Sequence, residues 1–286
     1  MWQKALALTV ILSVILWLTL PAGAVNLIRD VTYRTVGGVA LALDIYLPGT
    51  SGLHPAIVFI HGGAWHTGDK RSFAEHAMHF ASLSYVCFSI NYRLAPTYTF
   101  PAALEDVRGA VRWVREHAMD YGVDPARIAA VGSSAGAHLS ALLGTAPESL
   151  GPCGNPAVPS RVQAVVALFG PMDLTLAAQY QDAAQVVADF LGATYADDPG
   201  LWQTASPITW VSPDDPPFLL IHGTADTVVP PEHSQLMADA LRNASVEHAL
   251  ILIPGAGHGL HRPLTSPSAQ RALKAMEAFL ARHLGP

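Results

Sequence analysis

Ser134 is framed by Gly132 and Gly136 in the run Gly-Ser-Ser-Ala-Gly. A short apolar stretch, Ile128–Val131, leads into it, and helix-favouring residues, Ala135–Leu143, follow. A serine hydroxyl is a weak nucleophile until the backbone aims it and a base takes its proton. A sharp strand-to-helix turn does the aiming by lifting Oγ clear of the sheet. Such a turn imposes an unfavourable φ/ψ on the serine and crowds the positions two residues away, so glycine is needed there. The chemistry this supports is acyl transfer through a covalent acyl-enzyme.

The remaining parts are a base, an acid that orients it, and donors for the oxyanion. His258, flanked by Gly257 and Gly259 just after the apolar run Ala249–Ile253, is the candidate base. His261 lies further from that strand end, and His248 lies at the wrong end. His222 closes a strand directly before the acid loop, where a structural role is expected. Asp226, in the turn after Phe218–Ile221, is the candidate acid; capping its own turn is the competing use. Asp173 is the second choice. The order Ser134, Asp226, His258 is the one a strand–turn–helix serine hydrolase requires. One oxyanion donor is the N–H of Ala135. The other is expected from His61-Gly-Gly-Ala-Trp65, after the run Ala56–Ile60, with Gly63 first and Gly62 and Ala64 beside it. Trp65 and His66 flank that loop and are candidates for lining the acyl or alcohol pocket, with packing the other use of Trp65.

These residues need strands to hold them. Val31–Val36 and Leu41–Leu47 alternate around Gly37-Gly38 and predict a hairpin. Ala56–Ile60 is a continuous apolar run, as a strand covered on both faces is, and Tyr85–Ile90 is another; Ile128–Val131, Val162–Leu168, Phe218–Ile221 and Ala249–Ile253 are further short apolar runs. Pro101–His117 places Leu104, Val107, Val111 and Val114 at helical spacing, and Ser268–His283 closes the chain as a helix. The class is α/β, a mostly parallel sheet with helices on both faces. Residues 172–212 exceed a minimal crossover and predict a small inserted cap, with Gln181–Leu191 helical and a pure packing role as the alternative.

The chain has 286 residues, a formal net charge of -6 and no basic patch, which argues against nucleic acid. Lys4, the apolar run Ala5–Leu20 and the small residues Pro21–Ala24 predict a signal peptide over residues 1–24, cleaved after Ala24. The mature domain would be residues 25–286, secreted or periplasmic and not stably inserted in a membrane. An uncleaved anchor is the alternative, although the run is short for a span. Cys87 and Cys153 read as unpaired thiols. His76 and His79 share a helix face but lack a third ligand in phase, and His138, one turn past Ser134, reads as helix packing. No metal or organic cofactor is expected.

Six segments together resemble the α/β-hydrolase esterases and lipases: His61–Trp65, Asn91–Pro96, Phe100–Asp106, Gly132–Gly136, His222–Asp226 and Gly257-His258. The similarity is to hormone-sensitive-lipase-like carboxylesterases and to bifunctional feruloyl/acetyl-xylan esterases. Ala64 stands where a third glycine is common, and Ser133 where an acidic residue is common in the lipase-like group; both favour the feruloyl/acetyl-xylan-like branch. The resemblance implies a serine esterase, with Arg93 and Asp106 structural; with the signal segment, the expectation is an exported enzyme acting on short-chain or carbohydrate-linked esters. Its rivals are an arylformamidase or peptidase-like amide hydrolase of the same fold, a long-chain lipase, and a non-catalytic binding module.

Overall fold

The computed structural model describes residues 24–285. The predicted signal segment lies almost wholly outside them. Eight strands form one sheet: β1 (Asn26–Val36), β2 (Val39–Leu47), β3 (His54–Ile60), β4 (Val86–Ile90), β5 (Val123–Ser133), β6 (Ala164–Leu168), β7 (Phe218–Gly223) and β8 (His248–Ile253), in the order β1-β2-β4-β3-β5-β6-β7-β8. The hairpin β1–β2 joins β4 antiparallel, and β4 through β8 run parallel. Strands β3 and β4 are buried along their whole length, which is why they read as unbroken apolar runs.

Helices cover both faces. α1 (Ala74–Ser82) and α7 (Pro267–Leu284) lie on one, where Phe73, Phe80 and Met276 meet Ile57, Phe59 and Val166. On the other face lie α2 (Ala102–Glu116), α3 (Ala135–Thr145), α4 (Gln181–Leu191) and α6 (Glu232–Asn243), where Leu104, Leu142, Phe190 and Met237 meet Val58, Ala130 and Val165. The short α5 (Pro199–Thr204) belongs, with α4, to residues 172–212, where it buries Trp202 completely. The expected helix over Gln181–Leu191 has those bounds.

Asp106 ties the first hairpin to α2. Its carboxylate accepts from Arg34 at 2.9 Å and from Arg93 Nε at 2.8 Å, and it is fully buried between them. Cys87 and Cys153 are both buried and form no disulfide.

Strand β5 meets α3 at a very close crossing. A methyl group on Gly136 would overlap the carbonyls of Ile60 and His61, and one on Gly132 would overlap the carbonyl of Gly136. These neighbours are backbone and cannot swing aside. Gly136→Ala is therefore expected to destabilise the fold by about 3 kcal/mol, read as a lower denaturant midpoint at unchanged slope.

Candidate active site

Ser134 joins β5 directly to α3 with φ 53 and ψ −122, a region that L side chains rarely enter. Its N–H donates to the Leu168 carbonyl at 2.9 Å, and its carbonyl accepts from the His138 N–H at 3.1 Å. The serine is thus pinned at the end of the strand, with the positive end of α3 behind it.

His258 follows β8 and Asp226 follows β7, on the same edge of the sheet. His258 Nε2 lies 3.0 Å from Ser134 Oγ, and its Nδ1 lies 2.8 Å from Asp226 Oδ2. A carboxylate only accepts, so Nδ1 carries the proton and Nε2 is free to accept from the serine hydroxyl. Asp226 is completely buried at its side chain. Its Oδ1 accepts from the N–H groups of Val228 (2.9 Å) and Val229 (3.0 Å), which fixes the carboxylate plane. Burial alone would raise its pKa. Hydrogen bonds from His222, His258 and the Val229 N–H outweigh that and hold the carboxyl well below the usual carboxylate range.

The rival histidines are engaged elsewhere. His222 Nδ1 accepts from Ser234 Oγ at 2.7 Å, and its Nε2–H, shared between the Val229 carbonyl at 2.8 Å and Asp226 Oδ2 at 3.4 Å, braces the acid loop. His261 is buried against Phe169, whose ring edge in turn abuts His258 at 4.7 Å between centroids. His138 donates from Nε2 to the Ala205 carbonyl at 2.8 Å and so ties α3 to α5. Asp173 caps a short helical turn through the Thr175 N–H and hydroxyl. His79 Nε2 meets Glu277 of α7 at 2.7 Å.

A cavity of about 780 Å³ opens over Ser134. Ala135, Ala64 and Trp65 line it from the sheet side; Leu176, Ala177, Val186 and Val187 line it from the 172–212 segment. Ala64 and Trp65 are thus the residues of the glycine loop that reach the wall. Gly62 and Gly63 lie behind it, Gly62 tight under Ser133 and Ser134, Gly63 over Thr67. The amides of Gly63, Ala64 and Ala135 donate to no protein acceptor among the described residues, and all three remain open as oxyanion donors.

Trp65 belongs both to the core and to the cavity wall. It lines the cavity and stacks on Phe190 at 4.3 Å. His66 corrects the sequence expectation: it is not on the cavity wall, and its Nε2 lies 3.9 Å from Asp189. The positive φ of both Ala64 and Trp65 curls the loop and turns consecutive residues to different sides, which no residue pattern announces. His233, also on the wall, is a site residue that sequence reasoning missed.

Asp226→Asn places an amide where Nδ1–H needs an acceptor and favours the wrong imidazole tautomer. It is expected to lower kcat about 10⁴-fold with little change in KM, checked by steady-state kinetics.

The BD-FAE family model matches residues 43–241, more than half of the chain. Esterase LipQ of Mycobacterium tuberculosis is 37% identical over 264 residues, covering 88% of this chain. The chain spans only 61% of LipQ's length. An esterase of Thermogutta terrifontis solved with propionate bound superposes with a TM-score of 0.78 at 29% identity, over 93% of this chain and 97% of that one. A truncated carbohydrate esterase from gut microbiota has the same TM-score at 30% identity, over 91% and 97% of the two chains.

Proposed function

The chain belongs to the BD-FAE family of α/β-hydrolases, and from that premise we propose that it is a serine carboxylesterase whose catalytic residues are Ser134, His258 and Asp226. The observation that carries this reading is the unbroken path Asp226 Oδ2–His258–Ser134 Oγ, 2.8 Å then 3.0 Å, at the floor of a cavity.

Ser134 Oγ attacks the ester carbonyl as its proton passes to His258 Nε2. The carbonyl oxygen becomes an oxyanion, held by the N–H of Ala135 and by that of Gly63 or Ala64. Asp226, ionised throughout the working range, stabilises the imidazolium. His258 then protonates the departing alkoxide as the C–O bond breaks, leaving Ser134 acylated. Water, activated by the same imidazole, attacks the acyl carbon and frees the acid and the serine.

The cavity supports a neutral ester. Among the described residues that line it there is no lysine or arginine to pair with an anionic substrate, and most of its wall is apolar. Gln179, Gln181, Asp182 and the exposed ring of Tyr180 stand on the 172–212 segment at the wall. A sugar would meet its polar partners there, while the acyl chain takes the apolar interior. This division of labour makes residues 172–212 a cap that forms one side of the pocket.

Export rests on residues 1–24 as read above. Among the described residues, no helix is long and apolar enough to cross a membrane.

A panel of p-nitrophenyl esters of rising chain length, acetylated xylan, a feruloyl ester and N-formylkynurenine tests the reading. Turnover is expected on the short and medium neutral esters, with paraoxon placing one diethylphosphoryl group on Ser134 by peptide mapping. Faster turnover of the formamide would make the protein an amide hydrolase of the same fold.

A further inference from the structure

His233 stands at the start of α6, five residues beyond Val228 of the acid loop, and it lines the cavity over Ser134. It takes no part in the path from Asp226 to Ser134. Its relative exposure is 5%, so its ring is sequestered from bulk solvent while bordering the space a substrate would fill.

The protonation of this ring follows from its surroundings. The Asp173 backbone N–H points at Nδ1 across 3.4 Å, so Nδ1 must offer its lone pair. In the neutral ring the proton is then on Nε2. Nearby carboxylates do not take it. Asp173 is engaged with Thr175, and Asp226 with His258, Val228 and Val229. Nε2 has no protein partner among the described residues. Burial holds the ring's pKa down to about 4, so it is uncharged at neutral pH.

The cavity wall includes the apolar Leu176, Val187, Val229 and Pro230, and none of its polar side chains bonds His233 Nε2. A substrate that fills the cavity shuts this N–H off from water, which costs free energy unless the substrate itself completes the bond. A substrate with an oxygen at that point recovers the bond; one with a methyl group there leaves the donor stranded.

Building on the esterase reading, we propose that His233 is a specificity-determining residue: its Nε2–H selects neutral esters that carry a second acceptor oxygen, a keto, ether or hydroxyl group, away from the scissile bond. The oxygen accepts from Nε2–H and no proton is transferred. An anionic ester would shed its hydration with no cationic side chain on the wall to pair it, and plain alkyl esters leave the N–H unpaired.

The test uses pairs matched in shape. On the acyl side these are p-nitrophenyl 4-oxo- and 5-oxohexanoate against 4-methyl- and 5-methylhexanoate. On the alcohol side they are the 2-methoxyethyl and butyl esters of hexanoic acid. The readout is the kcat/KM ratio within each pair, divided by the ratio for hydroxide-catalysed hydrolysis to remove intrinsic reactivity. The wild type is expected to favour at least one oxygen-bearing member by about tenfold or more. His233→Leu is expected to bring that corrected ratio close to one, with the loss in KM. His233→Gln, whose amide N–H reaches the position of Nε2, is expected to restore most of it.

A general loss of rate in either variant cancels in the ratio, and the wild-type comparison stands even if a variant does not fold. Wild-type ratios near one in every pair would overturn the proposal, as would an unchanged ratio in a folded His233→Leu protein. Hydrolysis without discrimination overturns this proposal alone. Failure of the wild type to hydrolyse any of these esters overturns the esterase reading, and this one with it.

Discussion

Ser134→Ala is expected to lower kcat for p-nitrophenyl acetate by about 10⁶-fold while leaving the circular dichroism spectrum unchanged. Removing the nucleophile of such a unit costs about as much as removing all of it, because His258 and Asp226 act only through the serine. A variant that still turned over the ester at a comparable rate would exclude Ser134 as the nucleophile. The same position makes a second, independent demand. At φ 53 and ψ −122, a residue with a Cβ stores strain of order 1–3 kcal/mol, and the surrounding contacts must hold it. Those contacts are the 2.9 Å bond from its N–H to Leu168 and the glycine-only crossing at Gly132 and Gly136. Alanine keeps the strain and glycine releases it. Ser134→Gly is therefore expected to be as inactive as Ser134→Ala but more stable than it. The net gain is about 1 kcal/mol once the greater freedom of glycine in the unfolded chain is subtracted. Chemical denaturation of the two variants measures that difference. Equal midpoints would mean that the turn relaxes and that the serine is not held under strain.

The sheet was legible because most of its central strands are buried on both faces and so read as apolar runs with little to interrupt them. Ala56–Ile60 and Phe218–Ile221 read almost to their ends for this reason. Strand β5 did not: it starts at Val123, and the polar stretch Asp124–Arg127 hides its first half. The chemically active residues were legible because each follows a strand at the same sheet edge, where glycine and turn residues mark the exit. The cavity was not. Its walls draw on the glycine loop, the 172–212 segment and the acid loop, and their meeting depends on how the chain folds over the sheet. His233 looks like an ordinary polar residue near a helix start until that meeting sets it facing Ser134's cavity. Conversely, His66 lies beside the right loop, and only the positive φ of Ala64 and Trp65 takes it off the wall.

Lowering the pH from 7 to 5 is expected to remove a large part of the folding stability, more than the buried carboxyls Asp106 and Asp215, whose pKa burial raises, give back. Four imidazoles drive this. Burial holds His76, His138 and His233 down to about 4 and His261 to about 3. In the unfolded chain each would titrate near 6.5. Between the folded and unfolded values, the unfolded state binds a proton that the folded state refuses. Stability therefore rises with pH across this window and is complete above about 6.5. It falls on acidification until the buried rings themselves accept protons. By pH 5 each ring contributes a loss of about 2 kcal/mol, so the four together approach the whole stability of an ordinary domain. His61 and His283, also held down by burial, add to that loss, and a ring that escapes by local opening subtracts from it. Scanning calorimetry from pH 8 to pH 5 is expected to show a steep fall in Tm. His76→Phe should flatten it by one proton's worth of slope. The His76 ring packs edge-on to Phe73 and beside His261, and its Nδ1 has no protein partner, so a phenyl ring fills the site without loss of a protein hydrogen bond there. A Tm that is flat from pH 8 to pH 5 would mean these imidazoles are not held neutral by burial. The same measurement decides how an acid limb in the activity profile is to be read. If kcat falls with the same midpoint as Tm, the fold is failing. If it falls while the protein stays folded, the loss belongs to the path from Asp226 through His258 to Ser134.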